Sequence, residues 1–349
     1  MESINTIVIG GGQAGLAAGY YLRQMNREFV ILDAGVQTGD AWRTRWDSLR
    51  LFTPAWLNGL PGMPFPGNPQ HFPSKDEVAD YLWAYRRKFR LPVRHDCAVL
   101  RLTKGMRRFE VVTKDGNWLA DNVIVATGSY QQAKLPPFSN ELNAVTHQLH
   151  SSRYNNPQHL PEGGVLVVGA GTSGLQIALD IRSTGRSVYL AGEPTVHIPD
   201  FVFRYFERPF VWVASNLLTL KTPMGRKACR AIKGEGKGAP LINVSMSDIY
   251  DAGIRHVSRI VGARDGWPLT EKGVVVPVST VVWATGFSPD YSWMRIPDCV
   301  DEQGYPVTRR GVSPVGGLYF VGSTFQYGLT STWLGGVGRD AEFVCRQIG

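Results

Sequence analysis

Ile4-Asn5-Thr6-Ile7-Val8-Ile9-Gly10-Gly11-Gly12-Gln13-Ala14-Gly15 is the stretch on which the fold turns. Ile4 to Ile9 reads as a short buried strand, and the glycines follow it directly. Leu16 to Met25 then has helical spacing, and Phe29 to Leu32 is a second apolar run that ends at Asp33. This is a βαβ unit with a phosphate-binding turn at its first bend. Gly10 permits the tight turn, Gly12 lets backbone N–H groups approach a pyrophosphate, and Gly15 allows close packing of helix on strand. The helix that opens at Gln13 and Ala14 turns its positive dipole end toward the anion. Asp33 is placed to accept hydrogen bonds from a ribose hydroxyl pair.

The pattern restarts further on. Val165 to Val168 is a strand, Gly169-Ala170-Gly171-Thr172-Ser173-Gly174 follows, and Leu175 to Ser183 reads as a helix before the strand Ser187 to Leu190. Gly10 and Gly169 are 159 residues apart, while the turns Ala126-Thr127-Gly128 and Ala284-Thr285-Gly286 are 158 apart. Nearly equal offsets indicate duplication of a whole nucleotide-binding domain rather than of a small repeat unit. With 39 glycines in 349 residues, a bare GxGxxG carries little weight. Gly234 to Ala239 fits the relaxed form with no strand before it, and Gly336 to Ala341 fits it inside an expected helix. Only the motifs at Gly10 and Gly169 have a strand, a helix and a later acidic residue in the right order. In the second domain that residue is Glu193, which favours a ribose 2′-hydroxyl and repels a 2′-phosphate, so it points to NADH over NADPH. Thr195 or His197 is close enough in sequence to reach a phosphate, which leaves dual use open.

Between the two units, Ser74 to Glu77 has the form of a capping box opening a helix with Val78, Tyr81, Leu82 and Tyr85 on one face. Residues 97–125 alternate as a small antiparallel sheet would, and 129–162 reads as a linker. The net charge of +8 is spread along the chain, its densest runs lie outside any nucleic-acid motif, and nucleic acid is not an expected partner. Cys97, Cys229, Cys299 and Cys345 form no CxxC pair, which argues against a disulfide framework, a zinc site and a redox-active dithiol. No cationic region precedes Ile4 and no apolar run reaches membrane-spanning length, so a cytoplasmic protein is expected.

Several longer motifs accompany the duplication. They are Gly39-Asp40-Ala41-Trp42-Arg43, Trp46 to Leu51, Leu60 to Pro64, Phe72 to Lys75, His150 to Tyr154 and Ala284 to Phe287. On these residues the chain resembles the two-dinucleotide-binding-domain flavoproteins and, within them, the small bacterial flavin-containing monooxygenases, over residues 4 to about 348. The resemblance implies an α/β fold with two Rossmann-like domains. The FAD domain would span 1–155 and 288–349, with an NAD(P)H domain of 156–287 inserted in it. It implies FAD on the first site, NADH or NADPH on the second, and no catalytic side chain. Trp42, Arg43 and Thr53 would lie toward the flavin, and Thr330 to Thr332 would cap a C-terminal helix from Trp333 to Gln347 facing it.

His150 and Tyr154 match the monooxygenase fingerprint, where Ala144 and Thr146 replace its aromatic residue and glycine. His150 either orients nicotinamide or satisfies backbone. The run Leu51-Phe52-Thr53-Pro54 lacks the Asn that the family often places near the flavin. The implied chemistry is hydride transfer to flavin, reaction with O2 to a C4a-(hydro)peroxide, and oxygenation of a sulfide or amine, or of a ketone in Baeyer–Villiger fashion. The alternatives are a flavin reductase or oxidase without oxygen transfer, and a nucleotide-binding sensor. The aromatic segment Phe201 to Leu220 would be a lid or substrate wall, a buried insertion, or the contact of a homodimer. Replacing Glu193→Arg should raise NADPH use relative to NADH, because a repelling carboxylate becomes a phosphate partner. Steady-state kinetics with both nucleotides checks this, and an unchanged ratio of kcat/KM values overturns the role of Glu193.

Overall fold

A computed structural model describes residues 2–233 and 240–349. β1 (Glu2–Ile9), α1 (Gln13–Gln24) and β2 (Phe29–Leu32) form the expected unit, with β1 and β2 parallel. Ile7 and Val8 are fully buried although they point to opposite faces, as a central parallel strand covered on both sides requires. The sheet runs Met294–Arg295, Val99–Lys104, Phe109–Thr113, Gly116–Val125, β1, β2, Val93–Arg94, and Leu318–Phe320 also pairs with Gly116–Val125.

The antiparallel strands expected over 97–125 are therefore part of this sheet, not a separate one. The reason is the length of Gly116–Val125, a ten-residue strand. One of its edges pairs with β1 from Trp118 to Val125. Its other edge pairs with Phe109–Thr113 over its first half and with Leu318–Phe320 over its last three residues. A C-terminal strand thus completes the first domain, and helix Val337–Cys345 packs against α1, where the Cys345 thiol meets the Ala18 carbonyl at 3.5 Å.

The second sheet is all parallel, in the order Arg255–Val257, Val188–Ala191, Val165–Val168, Thr280–Trp283, His147–His150. The last strand lies inside the stretch read as a linker and before residue 156. It is an edge strand with only His150 fully buried, so its sequence lacks the apolar run that marks its neighbours. Where the chain crosses between domains, Gln132–Ala133 and Phe287–Ser288 pair antiparallel. Asp47 and Asn155, and Gln176 and Arg50, add hydrogen bonds across the junction.

Other elements depart from the sequence reading in instructive ways. The C-terminal helix begins at Val337 rather than Trp333, and Leu329–Thr332 is a separate 3-10 turn. Ser331 Oγ accepts from the N–H groups of Tyr327 and Gly328, so the hydroxyl run stabilises that turn and not the helix. Gly335 separates the two, because a Cβ there would lie 1.8 Å from the Leu57 carbonyl oxygen. The chance motif Gly336 to Ala341 falls at this helix start, while Gly234 to Ala239 lies outside the described residues. The aromatic segment forms helix Asp200–Asn216, kinked at Phe206 ahead of Pro209.

Helix Lys75–Lys88 carries the expected capping box. Ser74 Oγ accepts from Glu77 N, and Glu77 accepts from Ser74 N at 2.7 Å, while His71 Nε2 lies 3.0 Å from the same carboxylate. Partial burial works to raise the Glu77 pKa, but these hydrogen bonds outweigh it and hold the group at about 2. A depressed folded pKa contributes stability above the ordinary carboxylate value that is lost as pH falls toward about 2. Ser74→Ala should destabilise the protein by about 1 kcal/mol in urea unfolding. Glu77→Ala should differ from the parent most near neutrality and progressively less as pH falls.

Candidate functional site

The first glycine turn is held by contacts that leave no room for side chains at two positions and open space at a third. Gly10 N donates to Leu32 O at 2.8 Å, with Gly10 at φ +106°, and a Cβ there would lie 2.7 Å from the Ala126 carbonyl oxygen. A Cβ on Gly15 would lie 1.8 Å from Gly10 O. A Cβ on Gly12 would meet nothing within 4 Å. Gly12 therefore borders the open side of the turn. α1 starts there with no side-chain cap and no acidic residue in its first turn, so its leading N–H groups face outward without a competing carboxylate.

The second turn repeats this geometry. Gly169 N donates to Ala191 O at 2.8 Å, and Gly169 has φ +116°. A Cβ on Gly169 would lie 2.3 Å from Ala284 O, one on Gly174 would lie 1.8 Å from Gly169 O, and one on Gly171 would meet nothing. Helix Thr172–Ser183 also lacks a side-chain cap and first-turn acid, and Thr172 and Ser173 stand half-buried at its mouth. The Ala-Thr-Gly turns thus touch the glycine turns. Ala126 N donates to Ile9 O and Ala284 N to Val168 O, both at 2.8 Å. Each site is a cradle with the dimensions of backbone alone, which fits a pyrophosphate.

Around the first cradle, Asp33 follows β2 and accepts from Gly11 N and, at 2.6 Å, from Gly35 N. A cavity of about 150 Å³ adjoins the strand ends, lined by Gly10, Leu32, Ala34, Cys97, Thr127 and Trp293. Cys97 and Trp293 were not legible as site residues, because they reach this cavity from connecting segments far away in the sequence. Ala14 is buried, and Trp42 Nε1 donates to Gln13 Oε1 at 3.4 Å, which sets the indole beside the helix start. Gln131 donates to Thr127 Oγ1 at 2.7 Å and to Gly128 O at 2.9 Å.

The structure commits two of the other candidates elsewhere. Arg43 donates to Thr38 O and to Asp80 at 2.8 Å, bracing one helix against the next. Thr53 donates to Asn58 Oδ1 at 2.8 Å, and Asn58 donates back to the carbonyls of Thr53 and Pro54. Asn58 is a buried amide that sequence reading missed, lying just beyond the Leu-Arg-Leu stretch.

Around the second cradle, Glu193 is exposed just past strand Val188–Ala191, Thr195 is half-buried, and Gly192 has φ +115°. His256 Nε2 donates to Gly192 O at 2.7 Å, and Arg255 lies over the Tyr189 ring and donates to its hydroxyl. These two basic residues come from the neighbouring strand, a pairing that no local motif announces. Burial and the nearby Arg45 lower the His150 pKa against the opposing pull of its bond to Gly286. Neutral His150 then donates from Nε2 to Gly286 O at 2.9 Å and accepts at Nδ1 from Ser152 N. It satisfies backbone at the second Ala-Thr-Gly turn, and Thr285 Oγ1 donates to Lys134 O.

Two such cradles in one chain, without a dithiol, define a two-dinucleotide-binding-domain flavoprotein. Residues 7–198 match the pyridine nucleotide-disulphide oxidoreductase family. An oxidoreductase described as CzcO-like from Geobacillus kaustophilus is 40% identical over 99% of this chain and 98% of its own. A flavin-containing monooxygenase from Stenotrophomonas maltophilia superposes with TM-score 0.80 at 31% identity, covering 100% of this chain and 98% of that one. A probable indole-3-pyruvate monooxygenase of Arabidopsis thaliana, YUCCA8, is 25% identical over 98% of this chain and 88% of its own. The chain belongs to the pyridine nucleotide-disulphide oxidoreductase family, as an oxidoreductase of its flavin-containing monooxygenase branch.

Among the described residues, no group of His, Cys, Asp and Glu could hold a metal ion, and no helix is long and apolar enough to cross a membrane. Gly12→Val should fold, because the site is open and its φ of −74° suits any residue, yet purify without yellow colour. Gly15→Ala should instead lower thermal stability. Full flavin absorbance in Gly12→Val would place the pyrophosphate elsewhere.

Proposed function

We propose that the protein is a cytoplasmic monooxygenase that binds FAD in the first cradle and NADPH or NADH in the second, and oxygenates a soft nucleophile such as a sulfide or amine. The observation that carries this reading is the recurrence of the open turn at Gly12 and Gly171, each beside two glycines whose Cβ atoms would meet backbone carbonyls. One dinucleotide site serves a dehydrogenase, whereas two serve electron transfer between cofactors. When bound, the flavin supplies hydride acceptance from the nicotinamide and activation of O2.

The chain's own residues bind and orient. N–H groups at the α1 start hold the first pyrophosphate, and Asp33 turns from Gly11 and Gly35 toward a ribose. Those at the start of helix Thr172–Ser183 hold the second pyrophosphate. Glu193 favours a free 2′-hydroxyl, while Arg255 supplies the positive charge that a 2′-phosphate needs. His150 fixes the Gly286 carbonyl.

The four cysteines are free, and burial pushes the thiols of Cys97, Cys299 and Cys345 up, that of Cys345 to about 12. None is suited to be the thiolate of a disulfide reductase. A reductase or oxidase without oxygen transfer is the second reading, favoured by one observation: the Asn58 amide beside Thr53 is fully engaged with its own loop. Incubating the yellow protein with NADPH or NADH, O2 and a methyl aryl sulfide separates them. Sulfoxide formation is expected. Nucleotide oxidation yielding only hydrogen peroxide would select the second reading, and no bleaching by either nucleotide would leave a sensor.

A further inference from the structure

We propose that the helical pair Asp200–Asn216 and Pro223–Lys233 docks on the surface of an anionic phospholipid bilayer. In the first helix, Phe201, Tyr205, Phe206 and Trp212 are 56%, 71%, 56% and 59% exposed. Single exposed apolar side chains are ordinary, but four aromatic rings on one kinked helix form a patch. Among the described residues, the exposed phenylalanines are these two alone. Pro209 deprives the Tyr205 carbonyl of its helical donor, and the helix bends at Phe206, within the patch.

The next helix supplies the charge. Met224 is exposed at its start, and Lys221, Arg226, Lys227 and Arg230 are all exposed around it. No acidic residue occurs from Leu217 to Lys233. Exposed aromatic residues beside exposed Lys and Arg are the composition of a surface that enters a headgroup region without crossing it. Charge also selects among occupants. A two-fold contact centred on this helix would bring two clusters of Arg226, Lys227 and Arg230 together, whereas anionic headgroups complement them.

The base of the pair is fixed to the C-terminal segment. Leu220 N donates to Tyr327 O, Leu329 N donates to Leu218 O, and Arg339 donates to Ser215 O at 2.8 Å. The Tyr327 ring lies between Arg310 and Arg339, whose guanidinium carbons are 4.3 and 4.2 Å from its centre. The aromatic patch is thus carried on a rigid mount beside the 3-10 turn Leu329–Thr332.

The test is sedimentation of the flavin-loaded protein with vesicles of phosphatidylcholine alone and with vesicles enriched in phosphatidylglycerol. Roughly tenfold more protein should sediment with the anionic vesicles, and rising salt should release it. The double substitution Lys227→Glu with Arg230→Glu should bring binding down to the phosphatidylcholine level, with unchanged flavin absorbance reporting intact fold. Equal or absent sedimentation of the unsubstituted protein with both vesicle types overturns the proposal, whatever the variants do. So does a concentration-dependent dimer, seen by light scattering and dissociated by Trp212→Ser, in a protein that binds no vesicle; the patch would then serve a second copy of the chain.

Discussion

The Ala126 carbonyl oxygen stands 2.7 Å from where a side chain of residue 10 would begin, and the Ala284 oxygen stands 2.3 Å from the corresponding point at residue 169. Each oxygen belongs to a residue whose N–H bonds the end of the first strand of its domain. The returning strand is thereby drawn against the glycine turn. The turn is tight because Gly15 or Gly174 admits the carbonyl of the first glycine at van der Waals distance. What remains open is the side bordered by Gly12 or Gly171 and the bare helix start. The anion cradle is the space left when two carbonyls take the positions of two absent methyl groups.

Outside the cradles, polar side chains are used chiefly to fix backbone. Arg43 holds a carbonyl and a carboxylate, Asn58 closes its own loop, His150 pins Gly286, and Ser331 caps a 3-10 turn. This division suits a protein whose cofactors carry the reactivity. Rigid walls set the distance and angle at which two cofactors meet, and few side chains need to titrate while they do so.

The parts of the fold legible in the sequence were those with local signals. Val165–Val168 and Phe29–Leu32 are continuous apolar runs and occur where they were read. The capping box at Ser74 and Glu77 forms as its spacing implies. Elements defined by distant partners were not legible. His147–His150 is polar and becomes a strand only because Thr280–Trp283 lies beside it. The strand Gly116–Val125 joins two pairing modes that alternation alone cannot distinguish. Within the site, the glycines and Asp33 announced themselves, whereas Cys97, Trp293, Arg255 and His256 arrive by sheet pairing or chain return. Asn58 was hidden because its amide is recognisable as a loop clasp only once the loop is closed.

The inserted domain leaves and rejoins the first through two segments that are hydrogen-bonded to each other, Gln132–Ala133 and Phe287–Ser288. Lys134 N bonds Gly286 O at 3.1 Å next to them. A two-stranded ribbon twists readily but resists stretching, since extension must break its rungs while twist only tilts them. The joint therefore couples the two crossings: neither segment can be drawn out of the ribbon without breaking the hydrogen bonds it makes to the other.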